Sequence, residues 1–578
     1  LETEAARTGS TVSVIDGATI EADARPFALD YLANEPGINV NQTGPAGTIS
    51  GFTLRGAPQT YVRVLVDGIE ISDPTAPQVN PSLSGFPADD IGRIEVLRGS
   101  QSAIYGGQAV AGVIDITSPR ATEDGIAGRY RAEGGSFDSY RGAIGLTGRD
   151  ARGEFALNFT TIDTAGFSAA EEADGNTEDD GYSTTRLSAS GTLYVSETAS
   201  LFGSAFWQTD EGDYDNAPTP DMLGDAPNTF ETETAGARLG SDFELFGQLE
   251  NRLAATWFQL DRTQTNDFGP FTSEGDRARI EYLGRYELSD QWDLRFGADY
   301  MRETAETNFS GGSEDLSIAG AFGQAIWSPI EPLTLNATLR QDEHSEFGGY
   351  TTGRLTGAYL ITPETVLRGS LGTGFRPPSI FELTDAFSGN PDLDPETSIS
   401  ADLGVERIFS AGRGNVSATL FWLQIDDLIE FDNDTFTYIQ TNGTAESQGL
   451  ELAASWTLTD TLALSGAYTY TDATLPDGEQ RNRVPRNDLA ISLDGSWAER
   501  FSYGVTARFV GGYIDETGVV SEGFAEDYVV VNARAGYALT EEAELYIRAE
   551  NLFDEQYQTA RGYGTADQAF YFGVAGTF

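Results

Sequence analysis

Acidic side chains are crowded into two segments that lie one predicted hairpin apart in the chain. Residues 174–181 carry oxygen ligands at alternate positions and end in glycine, and Asp213, Asp215 and Asp225 follow. Neighbouring carboxylates repel one another unless a hard cation lies among them, and Ca²⁺ takes about six to eight oxygen ligands. The pattern predicts either a calcium site or the solvated loops of a very acidic surface.

Two arginines, Arg55 and Arg98, each end an apolar strand of the N-terminal region in a Leu-Arg-Gly step. A buried arginine requires a carboxylate partner, because an unpaired charge is costly to remove from water. Either these two arginines pair with acids from elsewhere in the chain, or they face water at the ends of their strands.

The composition excludes most catalytic and redox centres. The 578 residues contain no cysteine and no lysine, and their one histidine is His344. Disulfides, thiolate metal sites, Schiff bases and a P-loop lysine are therefore excluded. Ser345 follows His344, but no Gly-x-Ser-x-Gly turn surrounds it. We expect no enzyme activity, and we interpret His344 as a satisfied lumen or loop histidine rather than a haem ligand.

The formal net charge is −55, from 35 cationic and 90 acidic side chains. Phosphate would be repelled by such a chain, so a nucleic-acid partner is not expected. The hydrophobic content of 39% argues against disorder. No apolar run is long enough for a transmembrane helix.

Two structural regimes follow one another along the chain. Up to about residue 120, short apolar strands alternate with helix-like pieces and glycine-rich turns, which is typical of a mixed α/β domain. The strands are predicted at 11–15, 61–66, 94–97 and 112–116, and the helices at 28–34 and 88–91.

After residue 120 the apolar residues alternate with polar ones at a period of two. At 153–163, for example, Phe155, Leu157 and Phe159 share one face. The 458 remaining residues are too many for one sandwich core, whereas a closed membrane barrel places the apolar face against lipid and keeps a polar lumen. The sequence therefore predicts a transmembrane β-barrel.

Connections in this region are unequal in length. Short turns alternate with long acidic loops, which is the pattern of outer-membrane barrels. Twenty-two strands of about 10 residues with such connections account for the length, although 20 or 24 strands fit nearly as well. The long loops are predicted at 164–181, 208–230, 381–395, 473–485 and 510–526.

Ordered motifs make the chain similar to the TonB-dependent outer-membrane transporters. The apolar C-terminal segment 570–578, which ends on Phe578, also resembles the recognition signal of barrel assembly. The motifs are Pro-Gly-Ile-Asn-Val (36–40), Phe-Thr-Leu-Arg-Gly (52–56), Val-Leu-Val-Asp-Gly (64–68), Ile-Gly-Arg-Ile-Glu-Val-Leu-Arg-Gly (91–99), Ala-Gly-Val-Ile-Asp-Ile-Thr (111–117), Gly-Phe-Arg-Pro-Pro (374–378) and Gly-Leu-Glu-Leu (449–452).

The resemblance implies a barrel of 22 antiparallel strands in the Gram-negative outer membrane, with an N-terminal α/β plug domain inside its lumen. The plug domain would comprise residues 1–120 and the barrel residues 121–578. Implied partners are TonB with its inner-membrane motor, and outer-membrane lipid and lipopolysaccharide; a surface lipoprotein that caps the barrel is left open. No energy-coupling box is recognised in residues 1–10, and we expect it before residue 1.

Within this family the chain most resembles the cobalamin (vitamin B12) transporters, so the expected cargo is cobalamin. A ferric-siderophore or other metal-chelate receptor is the main alternative; a haem transporter, a passive porin and a pure adhesin explain less of the sequence. The residues expected to bind cargo lie in two plug loops: Thr43, Gly44, Ala46, Gly47, Thr48, Ser50, Asp73, Thr75, Gln78 and Asn80.

The same resemblance assigns roles to the charged residues. Cobalamin transporters use calcium to order their acidic loops, and the matching ligand positions here are Glu178, Asp180, Asp215 and, loosely, Asp225. One further ligand position is occupied by Ser168. The family pairs its plug arginines with two barrel acids, so Arg55 and Arg98 are expected to form a plug–barrel lock with Asp402 and Glu451.

Overall fold

The computed structural model describes residues 9–77, 83–216, 224–310, 312–409, 412–498, 500–516 and 527–578. The N-terminal region forms two small sheets with three short helices, and a closed antiparallel barrel of 22 strands surrounds it. The predicted fold class is therefore confirmed. The predicted domain boundary at 120/121 falls in the segment that connects the last plug strand to the first barrel strand.

The larger plug sheet has the order β1-β7-β8-β5-β6, and the smaller sheet has the order β2-β3-β4. The four strands predicted in this region all form, to within two residues at each end. The segment predicted as a helix at 88–91 is only a turn of 3₁₀ helix over Ala88–Asp90, because the backbone is already extended at Ile91. The strands are β1 Val12–Asp16, β2 Ile38–Gln42, β3 Ser50–Leu54, β4 Ala57–Pro58, β5 Val62–Val66, β6 Ile69–Glu70, β7 Arg93–Arg98 and β8 Gly112–Thr117, and the helices are α1 Gly17–Asp23, α2 Ala28–Leu32 and α3 Ser102–Tyr105.

The barrel closes where its first strand pairs with its last. One further helix, α4 Ile380–Thr384, lies in a loop of the barrel. The barrel strands are β9 Gly125–Gly135, β10 Ser139–Asp150, β11 Gly153–Phe167, β12 Asp180–Ser196, β13 Ala199–Tyr214, β14 Asn228–Leu245, β15 Leu249–Asn266, β16 Gly269–Ser289, β17 Trp292–Thr307, β18 Glu314–Ile330, β19 Leu333–His344, β20 Gly348–Thr362, β21 Thr365–Arg376, β22 Glu396–Phe409, β23 Gly414–Asp432, β24 Thr437–Thr459, β25 Leu462–Thr474, β26 Asn487–Trp497, β27 Phe501–Gly511, β28 Tyr528–Ala538, β29 Ala543–Glu550 and β30 Ala569–Thr577.

Most barrel strands are longer than the sequence predicted, although their lengths range from 8 residues in β29 to 23 in β24. Several segments predicted as loops are strand for part of their length; β13, for example, continues to Tyr214. Polar residues lengthen a strand readily once it leaves the apolar layer, because pairing with the neighbouring strand still satisfies its backbone groups. Connections at one end of the barrel are uniformly short, and the longest loops lie at the other end.

The alternation along the strands has the predicted orientation. Phe155, Leu157 and Phe159 are 41%, 47% and 37% exposed on the outer surface, whereas the intervening Asn158 and Thr160 are buried in the lumen. The apolar core of the plug continues onto lumen-facing barrel residues such as Phe206, Phe258 and Leu423. Among the described residues, no helix combines the length and hydrophobicity needed to cross a membrane.

Candidate functional site

The first plug loop connects β2 to β3 and is stabilised by its own hydroxyl groups. Thr43 Oγ1 donates to the carbonyl of Ile49 at 2.7 Å, and Thr48 Oγ1 donates to the carbonyl of Pro45 at 2.7 Å. The Ser50 hydroxyl makes a weaker bond of 3.4 Å to the Thr48 carbonyl. These hydroxyls shape the loop, while the Ile49 side chain remains 76% exposed.

The glycines of this loop bring it against the barrel. A Cβ on Gly44 would lie 2.5 Å from Ala169 Cβ, and one on Gly47 would lie 2.1 Å from the Tyr182 ring. Both glycines have positive φ, of 122° and 88°, which side chains disfavour. Both glycines are among the residues expected to bind cargo, and in the described structure they also pack closely on barrel residues. Ala46, between them, is half-buried.

The second plug loop is attached to the barrel wall. Asp73 Oδ1 accepts hydrogen bonds from both the amide and the hydroxyl of Thr75 at 2.7 Å, and Asp73 Oδ2 pairs with Arg262 of β15 at 2.7 Å. Asp73 and Thr75 are both buried, so their polar groups are directed at each other and at the wall. Gln78 and Asn80 lie outside the described residues.

The acidic loop after β11 is held by carboxylates that accept backbone hydrogen bonds. Asp180 Oδ2 accepts from the Ala169 amide at 2.6 Å, and Asp215 Oδ2 accepts from the Ala170 amide at 2.8 Å. Asp225 Oδ2 accepts from the Thr177 amide at 2.9 Å. Three of the four predicted calcium ligands therefore bind the same short stretch of chain.

Two of the four acids, Asp180 and Glu178, have raised pKa values. Burial, together with repulsion from Asp215, raises the pKa of Asp180 to about 7. Loss of water contact and the nearby Asp215 and Asp225 also raise the pKa of the exposed Glu178. Asp180 Oδ1 and Asp225 Oδ1 are buried without a hydrogen-bond partner.

A hard cation fits this donor set, because carboxylate oxygens are the ligands that Ca²⁺ prefers and two of them lack partners. The described residues as they stand contain no group of three or more His, Cys, Asp or Glu side chains close enough to hold a metal ion. Binding would therefore draw Asp180, Asp215, Asp225 and Glu178 together. At the position where the family has another acid, the Ser168 hydroxyl donates to the Ala170 carbonyl instead.

The acidic loop also packs on the loop between β29 and β30. Glu171 accepts from the Gln558 side chain at 2.5 Å, and the Glu171 amide donates to the Gly562 carbonyl at 2.9 Å. The Gly564 amide donates to the Ala169 carbonyl at 2.9 Å. Ala169 consequently lies where the plug loop, the acidic loop and the last barrel loop meet, although nothing in its local sequence indicates a role.

The predicted plug–barrel lock is centred on Arg55. Its Nε and Nη2 atoms donate to the two carboxylate oxygens of Glu451 at 2.9 and 2.7 Å, and Nη1 pairs with Asp402. The guanidinium carbon also lies 4.8 Å above the Phe421 ring. All four side chains are buried, so one plug arginine joins β22, β23 and β24.

Arg98 contacts one acid of the expected lock and makes its other hydrogen bonds within the plug. Its Nε and Nη2 atoms donate to the Pro36 carbonyl at 3.0 and 2.6 Å, and Nη1 donates to the Ser13 hydroxyl at 3.0 Å. The nearest oxygen of Glu451 is 3.4 Å from Arg98 Nε. Arg98 therefore mainly stabilises the plug chain that leads to the lock and reaches only one of the two acids.

A cavity of about 260 Å³ lies between the plug and the barrel wall beside the first plug loop. Gly44 and Ala46 line it, together with Gln42, Thr559 and residues of α2, β9 and β27–β30. Pockets for drug-sized ligands are roughly 300–1,000 Å³, so this space does not accommodate a large cargo without movement of the plug.

His344 ends β19 at the long-loop end of the barrel. Its Nδ1 atom accepts a hydrogen bond from the Glu346 amide at 3.1 Å, and its ring packs on Phe347. Burial lowers the pKa of His344 to about 4, so the imidazole is neutral near pH 7. This geometry agrees with a satisfied loop histidine.

Comparison with known families agrees with this architecture. Residues 93–552 match the family described as TonB dependent receptor-like, beta-barrel, and residues 4–113 match the TonB-dependent Receptor Plug Domain. The chain belongs to the TonB-dependent receptors, which are β-barrel transporters and receptors of the Gram-negative outer membrane rather than enzymes. The short turns therefore face the periplasm and the long loops face outward.

Among curated relatives, the chain is 25% identical to the vitamin B12 transporter BtuB of Vibrio cholerae, over 100% of this chain and 94% of that protein. It is 26% identical to BtuB of Photobacterium profundum, over 97% and 91% of the two chains.

Solved structures share the fold at lower identity. The siderophore receptor PirA from Acinetobacter baumannii superposes with a TM-score of 0.82 at 17% identity over 100% of both chains. The ferric enterobactin receptor PfeA from Pseudomonas aeruginosa superposes with a TM-score of 0.82 at 16% identity, covering 99% of this chain and 100% of PfeA.

Proposed function

We propose that this receptor imports cobalamin, which binds at the extracellular face and enters when TonB remodels the plug. The observation that carries the proposal is the meeting of the predicted cargo loop with the predicted calcium loop. Gly44 packs on Ala169, whose amide binds Asp180. The loop that calcium is expected to order therefore contacts the loop that is expected to bind cargo, through Ala169 and Gly44. Similarity to B12 transporters along the whole chain supports the same cargo.

The charge of the mouth favours a nearly neutral cargo over an anionic ferric catecholate. Three arginines near the long-loop end of the barrel are paired with carboxylates, which compensates their charge. They are Arg262 with Asp73 at 2.7 Å, Arg376 with Glu382 at 3.0 Å and Arg483 with Asp515 at 2.8 Å. A catecholate chelate is anionic and would be repelled by the surrounding acidic loops.

In this proposal calcium is bound by the carboxylates of Glu178, Asp180, Asp215 and Asp225. A bound cation supplies the positive charge that these carboxylates lack and lowers the cost of holding all of them ionised. Asp180 and Asp215 then keep the Ala169 and Ala170 amides in place above the plug loop. We therefore expect calcium to raise cargo affinity by ordering this junction.

Calorimetric titration of cyanocobalamin into the purified receptor tests both parts. We expect tight binding in calcium that weakens by about 10-fold or more in EDTA, within the usual range of coupling between two sites. A D180N/D215N variant should bind equally in calcium and EDTA. D477N, in an exposed acidic turn of another loop, should retain the wild-type calcium dependence.

Absence of cyanocobalamin binding in calcium would contradict the cobalamin proposal. Saturable binding of a ferric catecholate in the same preparation would then establish the siderophore alternative. Tight cyanocobalamin binding that EDTA does not change would support cobalamin as the cargo and contradict the proposed calcium binding.

A further inference from the structure

The closure of the barrel is one of its shorter strand junctions. Residues 571–577 of β30 pair with residues 129–135 of β9, whereas β15 pairs with β16 along residues 249–266. Each additional pair of facing residues in a strand junction contributes backbone hydrogen bonds. Side-chain contacts across this seam, defined here as the β9–β30 junction, therefore contribute a larger share of its stability.

Within the part of the barrel that the structure describes, one ion pair between barrel residues crosses the seam. Arg548 of β29 donates to both carboxylate oxygens of Glu133 of β9, at 2.9 and 2.7 Å. Its guanidinium carbon lies 3.6 Å from the centre of the Tyr571 ring on the intervening β30. Both oxygens of Glu133 are thus occupied by Arg548.

Two further buried arginines next to the seam are paired with the plug. Asp89 Oδ1 lies 3.1 Å from Arg131 Nε of β9, and Asp89 Oδ2 lies 2.6 Å from Arg141 Nε of β10. The Asp89 carbonyl also accepts from Arg129. Among the salt bridges of the described residues, neither Arg131 nor Arg141 has a barrel carboxylate.

The next plug residue, Asp90, makes a similar contact further along the barrel wall, on β12. Asp90 Oδ2 accepts from Arg186 Nε of β12 at 2.7 Å, and Asp90 also accepts from the Ser188 hydroxyl. The polarity is the reverse of the Arg55 lock, because here the plug supplies the acid and the barrel the arginines. In the ring of strands, β9–β12 lie roughly opposite β22–β24.

We propose that Asp89 is a structural counter-ion of the barrel seam, so that the inserted plug completes barrel closure. Without its carboxylate, Arg131 and Arg141 are two buried like charges on adjacent strands beside the shortened junction. Removing one partner of a buried ion pair leaves an uncompensated charge, which is strongly destabilising. The plug therefore has a structural role in the barrel in addition to its role in transport.

Hydrogen exchange of the full-length receptor in detergent tests this role. D89N should increase exchange at residues 125–135 and 569–577 by about 10-fold or more, because loss of a buried counter-ion lowers the local opening free energy. D73N is the matched control. It removes another buried plug carboxylate, whose partner Arg262 is a barrel arginine far from the seam. D73N should change seam exchange by less than about 2-fold.

A compensated variant distinguishes charge imbalance from general damage. D89N/R131Q/R141Q removes both signs of charge and should restore slow seam exchange, since replacing all partners avoids the unpaired charge. If D89N fails to fold, recovery of folding in the triple variant supports the proposal. Unchanged seam exchange in D89N, equal loosening in D73N, or a triple variant as loose or as unfolded as D89N would overturn it.

Discussion

The lock around Arg55 depends on close approach as much as on charge. Gly37 and Gly99 have φ values of 77° and 76°, and a Cβ on either would lie 2.3 or 2.6 Å from an oxygen of Glu451 or Asp402. Larger residues would displace the carboxylates from Arg55. One Leu-Arg-Gly step therefore supplies the cation Arg55, and the other supplies, at Gly99, the space for Asp402.

Breaking the lock should loosen the plug. R55Q removes the salt-bridge partner of the buried Asp402 and leaves Glu451 only its longer contact with Arg98, which should lower the free energy of plug opening by about 3–5 kcal/mol. Hydrogen exchange across β2 and β3 measures this opening. R93Q is the control, because the Arg93–Glu95 pair is half-exposed and should contribute less than about 1 kcal/mol. Equal exchange in the two variants would rule out an energetic lock.

At the scale of single elements, each barrel strand has a lipid face and a lumen face. On β12, Leu187 and Leu193 are 47% and 53% exposed, while Arg186 of the same strand is buried and paired with the plug residue Asp90. Leu193 pairs with Gly153 near the periplasmic turn, and Leu187 pairs with Phe159 further up the wall. The two leucines therefore differ mainly in depth.

Arginine substitutions at these leucines should show that depth dependence. L187R should destabilise the barrel by about 2–4 kcal/mol and L193R by about 0–1 kcal/mol, because desolvation of the guanidinium is greatest at the bilayer midplane. Denaturant unfolding in lipid vesicles measures both. Equal costs at the two positions would contradict the assignment of this face to lipid.

At the scale of the whole molecule, the plug fills the lumen and contacts the barrel around its circumference. The cavity of about 260 Å³ beside the first plug loop is too small for a large cargo, so passage along this route requires displacement of plug segments. Gln42 and Thr559 line that cavity, and the Thr559 hydroxyl bonds both the amide and the carbonyl of Gln42 at 2.9 and 3.0 Å.

A reversible cross-link at this contact should separate binding from import. The chain has no cysteine, so Q42C/T559C introduces a single possible disulfide. When oxidised, the variant should bind cargo normally but import none, and reduction should restore uptake. Radiolabelled cargo uptake by cells measures this, with each single-cysteine variant as control. Full uptake by the oxidised receptor would show that this plug segment does not move.

Sequence alone was sufficient for the class of fold. Period-two alternation, the length of the repetitive region and the loop asymmetry are local or additive features, and they predicted a barrel correctly. The ends of β13 and the 3₁₀ turn at Ala88–Asp90 were not predicted, because strand length above the apolar layer and short helical turns depend on neighbours that local patterning does not specify.

The charges themselves, the absence of cysteine and lysine, and the alternating faces were determined by the sequence. Tertiary structure decided which charges meet. Arg262 lies 189 residues from Asp73, and Arg141 lies 52 residues from Asp89, yet each pair is in contact. Barrel register and closure place these groups together, and pairing over such separations depends on the whole ring of strands rather than on any local segment.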